Sequence, residues 1–140
     1  MPLSNTMKNS VLKAELQGTD PAYRAGATQY IAYLQTDAAS WNPASPLATE
    51  CTYTGYIRTA VTKATAWTDN GTNFTNAGTL NGGKRTDAGA VQTIQSACIV
   101  DTPSGAVTQC IFGELASPIP VGQNIKPTCE PGSLTVQITS

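Results

Sequence analysis

The 140-residue chain has no histidine, and only 12% of its residues are charged. Without an imidazole, neither a Ser-His-Asp nor a Cys-His catalytic arrangement can be built. The nine carboxylates are scattered along the chain rather than paired. No phosphate-binding Gly-x-x-x-x-Gly-Lys-Ser/Thr pattern is present, since the nearest stretch, Asn81–Arg85, is too short. These absences predict a protein that is not an enzyme and binds no cofactor.

Clusters of basic residues and long apolar runs are missing as well. The net charge is -1, and Lys84-Arg85 is the only adjacent basic pair, whereas a nucleic-acid surface needs many cations to displace counterions. No apolar run approaches the roughly 20 residues that span a bilayer. Residues 1–10 lack the apolar segment of a signal peptide. We therefore expect a soluble protein made in a cytoplasm, with neither nucleic acid nor membrane as a partner.

The cysteines are few and widely spaced, and none forms a Cys-x-x-Cys pair. A zinc site would need all four distant thiolates, so we expect no metal. Two interpretations stay open: buried apolar thiols, which are their commonest role, or disulfides formed after the protein leaves a reducing compartment. The four candidates for disulfide bonding are Cys51, Cys98, Cys110 and Cys129.

What the chain does contain is β-forming segments separated by turn residues. Ile94–Asp101 and Ala106–Leu115 are rich in Val, Ile, Thr and Phe, and Thr102–Gly105 lies between them. A proline and a glycine in that turn favour a three-residue hairpin loop with a bulge. Pairing Thr102 with Ala106 predicts a register for the whole hairpin.

Three internal disulfide connectivities are possible. That register sets Cys98 opposite Cys110, which favours a bridge between them and would leave Cys51 to pair with Cys129. Because a bridge between directly opposed strand neighbours is often strained, bridges to another chain also stay open. Alternation along the strands predicts two apolar faces, and hence a central position in the sheet. One face holds Ile94, Cys98, Val100, Cys110 and Phe112, and the other holds Ile99, Ile111 and Leu115.

Other segments complete a mainly β fold, which we predict to be an antiparallel β-sandwich. Thr28–Thr36 reads as the first strand, Gly55–Val61 as a second that continues to Trp67, and Leu134–Ile138 as the last. Pro118 and Pro120 are expected to end the ladder that follows Leu115. Residues 28–140 are therefore predicted to form a single β-sandwich domain.

Residues 1–27 are predicted to form an N-terminal helical arm and a linker. Leu3, Met7, Val11 and Leu12 recur at helical spacing, Ser4 or Asn5 can cap the helix, and Gly18 can end it. A single short apolar stripe is marginal on its own. The arm must therefore dock on the chain's own body or on another protein, and its four apolar residues are the candidate docking residues.

Several motifs occur in the same order as in small bacteriophage virion proteins, which are described as tail-fibre-like or as capsid decoration (cement) proteins. The chain resembles this family over most of its length, with Cys98 standing where the family has Gly. The matching segments are Leu3-Ser4-Asn5, Tyr30–Asp37, Thr54–Val61, Cys98–Asp101, Gly113-Glu114-Leu115 and Val121–Asn124.

The resemblance implies a non-enzymatic virion component with a small β-sandwich. On that basis we expect a capsid decoration protein on the capsid surface, made in the cytoplasm of a bacterial host. Its expected partners are the major capsid protein and copies of itself, arranged as a homotrimer. One alternative is a tail or head fibre component that attaches to the host through Trp41, Tyr53 or Trp67 on exposed loops. Another is a non-viral carbohydrate-binding β-sandwich module.

Overall fold

The computed structural model describes residues 3–18 and 26–137, of which one helix and nine strands are the regular elements. The protein is mainly β, with 37% strand and 9% helix, and the fold is sandwich-like, as predicted. The helix α1 is Asn5–Gln17. The strands are β1 Thr28–Leu34, β2 Thr59–Thr62, β3 Trp67–Asp69, β4 Phe74–Asn76, β5 Leu80–Asn81, β6 Gln92–Val100, β7 Cys110–Val121, β8 Thr128–Cys129 and β9 Leu134–Val136.

Seven strands form one antiparallel sheet in the order β2-β1-β6-β7-β9-β4-β3, and β5 pairs with β8 in a small second sheet. The large sheet curls so far that its two edges come close together. The edge strands β2 and β3 are consecutive along the chain and are joined by residues 63–66 alone. Across the closure, Trp67 Nε1 of β3 donates a hydrogen bond to Gln29 Oε1 of β1 at 3.1 Å.

The curled sheet has an apolar cluster on each side. The inner cluster includes Ile31, Tyr33, Ile99 and Leu134, and it is closed at one end by the residues of β5 and β8. The outer cluster lies on β1, β6 and β7 and is covered by the 37–49 loop through Trp41 and Leu47. The prediction that β6 and β7 are central and apolar on both faces is therefore confirmed.

One residue of that prediction lies on the opposite face. Ile94 was expected beside Cys98, but it belongs to the inner cluster. The register between β6 and β7 shifts between Ile94 and Ser96. One residue separates Ile94 from Ser96 in β6, whereas four separate their partners Ile119 and Glu114 in β7. The strands are thus offset by three residues, and because an odd offset reverses the alternation on one side of it, this irregularity explains the change of face.

The predicted hairpin register is wrong by two residues. The observed pairs are Val100 with Cys110 and Cys98 with Phe112, so the connecting loop spans residues 101–109. The loop is wide because the Asp101 carboxylate accepts the amide hydrogens of Thr108 and Gln109, both at 3.0 Å. Those amides are satisfied by a side chain and do not need a partner on the opposite strand.

Two other strand predictions need correction. β7 runs through Pro118 and Pro120 to Val121, where a break was expected. Beyond Leu115, β9 no longer pairs with β7, so prolines are tolerated at what has become an edge. The predicted strand from Gly55 to Trp67 is instead two short strands separated by the turn at residues 63–66.

The last predicted strand is observed as Leu134–Val136, and its expected end at Ile138 lies outside the described residues. The boundary between an arm at 1–27 and a body at 28–140 stays a prediction. Within the described part of the chain, the structure contains no helix that is long and apolar enough to cross a membrane.

Two glycines allow the backbones of separate loops to touch. A Cβ atom on Gly83 would lie 1.8 Å from Gly55 O, and a Cβ atom on Gly55 would lie 2.1 Å from Lys84 O. Gly55 also has a φ of +97°, which side chains disfavour. The contact therefore joins the segment before β2 to the segment after β5 at a distance that only glycine permits.

Replacing Gly83 with Ala is expected to lower the free energy of unfolding by about 2–3 kcal/mol, because the loops must separate to admit the methyl group. Gly78→Ala is the matched control, since a Cβ atom there meets nothing within 4 Å. Urea unfolding of both variants measures the difference. Equal stability of the two variants would contradict the close backbone contact.

Candidate docking surfaces and their support

The residues just before the N-terminal helix are held by the start of β7. Leu3 forms an isolated antiparallel bridge with Ile111 of β7. Next to it, Ser4 N donates to Cys110 O at 3.1 Å. Ser4 Oγ in turn accepts a hydrogen bond from Met7 N at 3.3 Å, which is the interaction of an N-cap. Of the two predicted caps, Ser4 is the one observed.

The structure separates the four predicted docking residues into two groups. Leu3 and Met7 are each 7% exposed and pack against the chain's own body, and Val11 is half-buried. Leu12 is 55% exposed, and Leu16, one turn further on, is 80% exposed. Sequence reasoning missed Leu16, although its four-residue spacing from Leu12 was the available signal. The surface that remains open for docking is thus formed by Leu12 and Leu16.

A second open apolar surface lies where the sheet closes on itself. It is a cleft of about 200 Å³, which we call the closure cleft. Its residues come from β1, β3, β4, β6, β7 and β9 and from the turn after β2, which no single motif could reveal. They are Gln29, Lys63, Trp67, Phe74, Ile99, Ile111 and Val136. Phe74 stands at its rim with 47% of its surface exposed.

Aromatic residues predicted for host binding do not form an exposed loop surface. Trp41 packs on Phe112 with ring centroids 4.9 Å apart, and its Nε1 donates to Pro46 O at 3.0 Å. Tyr53 is 4% exposed, and its hydroxyl donates to Gly83 O at 2.9 Å. Trp67 alone of the three lines an open cleft. Of the three candidates, Tyr53 is thus buried and Trp67 lies in a strand, so neither is on an exposed loop.

A nearly buried ion pair fixes the wide β6–β7 loop. Arg58 Nε and Nη2 donate to the two oxygens of Glu50 at 2.7 and 2.9 Å, and these side chains are only 4% and 17% exposed. The guanidinium also donates to Thr102 O and Gly105 O, both at 3.0 Å. Hydrogen bonding to Glu50 raises the pKa of Arg58, so the cation is retained at any working pH.

The hydroxyl of Tyr56 lies between this ion pair and the inner cluster. It donates to Glu50 Oε1 at 2.7 Å and accepts a hydrogen bond from Tyr33 N at 3.0 Å. Burial, and then the hydrogen bond to Glu50, raise the pKa of Tyr56 well above its usual value. The hydroxyl therefore keeps its proton and serves as a structural donor.

A second buried arginine, Arg85, joins other segments of the body. It is 2% exposed, and its Nη1 donates to Ala90 O and Val121 O at 2.7 and 2.8 Å. Its Nη2 is 2.5 Å from Asp87 Oδ2. Hydrogen bonds from Arg85 hold the pKa of Asp87 well below its ordinary range. Both arginines thus bind carbonyl groups of loops, which is a structural role.

The four cysteines are free thiols, and all four are buried. Cys98 and Cys110 share the outer cluster, while Cys51 and Cys129 share the inner one. Because the register is shifted, Cys98 lies diagonally across from Cys110 rather than opposite it. Their thiols are nevertheless close enough to share a hydrogen bond, and this hydrogen bond, together with burial, raises the pKa of Cys98 well above its usual value. Disulfide bonding at any of these positions stays a prediction.

Among the described residues, no three His, Cys, Asp or Glu side chains come together as metal ligands. The polar groups described above are engaged with loop carbonyls and with each other. What the arrangement offers is a body whose buried arginines hold its own loops, with an exposed apolar helix stripe and an apolar cleft on its surface.

Comparison with known families agrees with this description. The family described as Podophage GP4 fiber I protein gp80 matches residues 2–137. The chain belongs to this family, and it is therefore a structural component of a bacteriophage virion. Among curated proteins, none matches the chain.

Replacing Arg58 with Met is expected to lower the free energy of unfolding by about 3–5 kcal/mol, because Glu50 would keep a nearly buried charge without its partner. Urea unfolding measures the loss. Lys84→Met, at an exposed position, is the control for removing a positive charge. A loss no larger than that of the control would contradict the structural role of the ion pair.

The native thiols are expected to resist a disulfide reagent at pH 8. Burial raises the pKa of Cys51 to about 12 and that of Cys129 to about 11, so both stay protonated and unreactive. All four should react once the protein is unfolded without reductant. Fewer than four reactive thiols after such unfolding would show that a disulfide is present.

Proposed function

We propose that the chain is a non-enzymatic subunit of a virion fibre in a short-tailed bacteriophage. The observation that carries this proposal is the family match over residues 2–137, because the family description names a podophage fibre protein. The structural features are those expected of a subunit that binds other proteins. Its buried charges are used internally, and its open features include an apolar helix stripe and an apolar cleft.

A fibre subunit needs a stiff body that keeps its shape while force passes through it. The described part of this chain has such a body, since one sheet closes on itself and two buried arginines tie its loops. The proposed partners are copies of the chain, arranged as a homotrimer, and a second virion protein that anchors them. Such assemblies are commonly symmetric and use the same surfaces on every copy.

Decoration of the capsid surface is the second candidate function. The chain has no internal repeat, and a single compact unit could occupy a site on a shell as well as one on a fibre. In this role the major capsid protein would be the docking partner, and the exposed part of the helix would provide the contact.

Electron microscopy of purified virions labelled with gold-conjugated antibodies against the chain tests both functions. We expect label at fibres near the tail. Uniform label over the head would overturn the fibre proposal in favour of decoration. Absence of the chain from purified virions by mass spectrometry would overturn both.

A further inference from the structure

The N-terminal helix carries apolar side chains on two opposite sides. Met7 faces the body and is 7% exposed. With about 100° of rotation per residue, Leu12 and Leu16 lie roughly 140° and 180° around the helix from Met7. Packing on the chain's own body therefore leaves them uncovered, with 55% and 80% of their surfaces exposed. Two leucines one turn apart form a continuous stripe, which we call the outer stripe.

The closure cleft provides a matching concave surface. Its base is formed by Ile99, Ile111 and Val136, and Trp67 and Phe74 stand beside them. In the part of the chain that the structure describes, this cleft is an open space of about 200 Å³. An apolar ridge and an apolar cleft are thus both uncovered on one molecule, and burying them together removes apolar surface from water.

We propose that the closure cleft of one copy receives the outer stripe of a second copy. The same chain cannot readily make this contact, because Leu3 and Met7 hold the helix with the outer stripe turned away from the body. This inference rests on the proposed function in one respect, namely that the chain assembles with copies of itself.

The charges at the two surfaces favour the same pairing. The last turn of the helix has no basic residue, so no side-chain cation within that turn offsets the partial negative charge of its C-terminal carbonyl groups. The cleft carries a cation, Lys63, among its lining residues. A helix end that enters the cleft would thus bring opposite charges together.

The contact is heterologous, since each copy offers a stripe to one neighbour and a cleft to another. Such a contact closes into a ring if the rotation between copies is right, and otherwise continues as a filament. A ring of three copies would use every stripe and every cleft once. The proposal therefore supplies an interface for the homotrimer.

Pairwise cysteine cross-linking tests the contact directly. Leu16→Cys protein is mixed with Phe74→Cys protein that carries a size tag, and air supplies dioxygen as the oxidant. Two thiols lose two electrons and two protons to form one disulfide, and dioxygen is reduced. The native cysteines are at most 2% exposed, so the introduced thiols should dominate. A disulfide between the tagged and untagged chains is expected.

The matched control pairs Leu16→Cys with Val91→Cys, because Val91 is 59% exposed and lies outside the cleft. Cross-linking of this pair as efficient as that with Phe74→Cys would overturn the proposal. A product formed mainly between two Leu16→Cys chains would also overturn it, because the stripes would then meet each other. Absence of any cross-link would mean that the cleft is not the site.

A second measurement uses sedimentation of the untagged protein. Leu12→Gln and Leu16→Gln are each expected to weaken self-association at least about tenfold, since each removes a buried leucine from the contact. Val91→Gln and Ile125→Gln remove exposed apolar groups elsewhere and should leave it unchanged. Circular dichroism checks that all variants fold.

A monomer at every concentration would overturn this inference while leaving the gold-label test of the virion role intact. Wild-type association that survives both leucine substitutions would likewise overturn it. The fibre function is tested separately, and gold label over the head rather than at the fibres would overturn it.

Discussion

Closure of the seven-stranded sheet on itself is the constraint on which the rest of the structure depends. The two edge strands are joined by one short turn, so neither can move away without opening the other side. Closure encloses the inner apolar cluster and also creates the cleft in which Trp67 meets Gln29. The shape of the outer surface therefore follows from how the interior is enclosed.

Loops make up much of the remaining chain, and polar side chains rather than apolar packing hold several of them. Arg58 binds the carbonyl groups of Thr102 and Gly105 in the loop between β6 and β7, and Arg85 joins residues that are distant in sequence. A planar cation with five donors can satisfy several carbonyls at once, which suits it to this position. A chain with few charged residues has thus placed two of them in its interior, where each is fully paired.

The sequence was a good guide to whatever depends on alternation along a strand. It correctly predicted that the two central strands are apolar on both faces, because side-chain alternation is a local property. The sequence-based prediction of the hairpin register failed, because side chains outside the predicted turn determine the length of the loop. The Asp101 carboxylate and the distant Arg58 hold a wide loop where a proline and a glycine favoured a tight one. The bulge near Gln95, which moved Ile94 to the other face, had no visible sequence signal either.

For the candidate docking surfaces as well, local features could be predicted and features formed by distant segments could not. Spacing in the helix was enough to identify an arm, but which of its residues are used internally depends on the bridge between Leu3 and Ile111. The closure cleft could not be predicted, because its lining comes from six strands and one turn that meet only when the sheet curls. Long-range assembly of this kind is not encoded in any window of neighbouring residues.

The prolines of β7 affect how closely packed copies of the chain interact. Past Ala116 this strand has an exposed border, and Pro118 and Pro120 lack the amide hydrogens that a foreign strand would need there. Many identical chains held side by side are at high local concentration, which is the condition that promotes runaway stacking of β-strands into amyloid. Because this edge lacks regular amide donors, a strand of a neighbouring copy cannot pair along it, and closely packed copies remain separately folded.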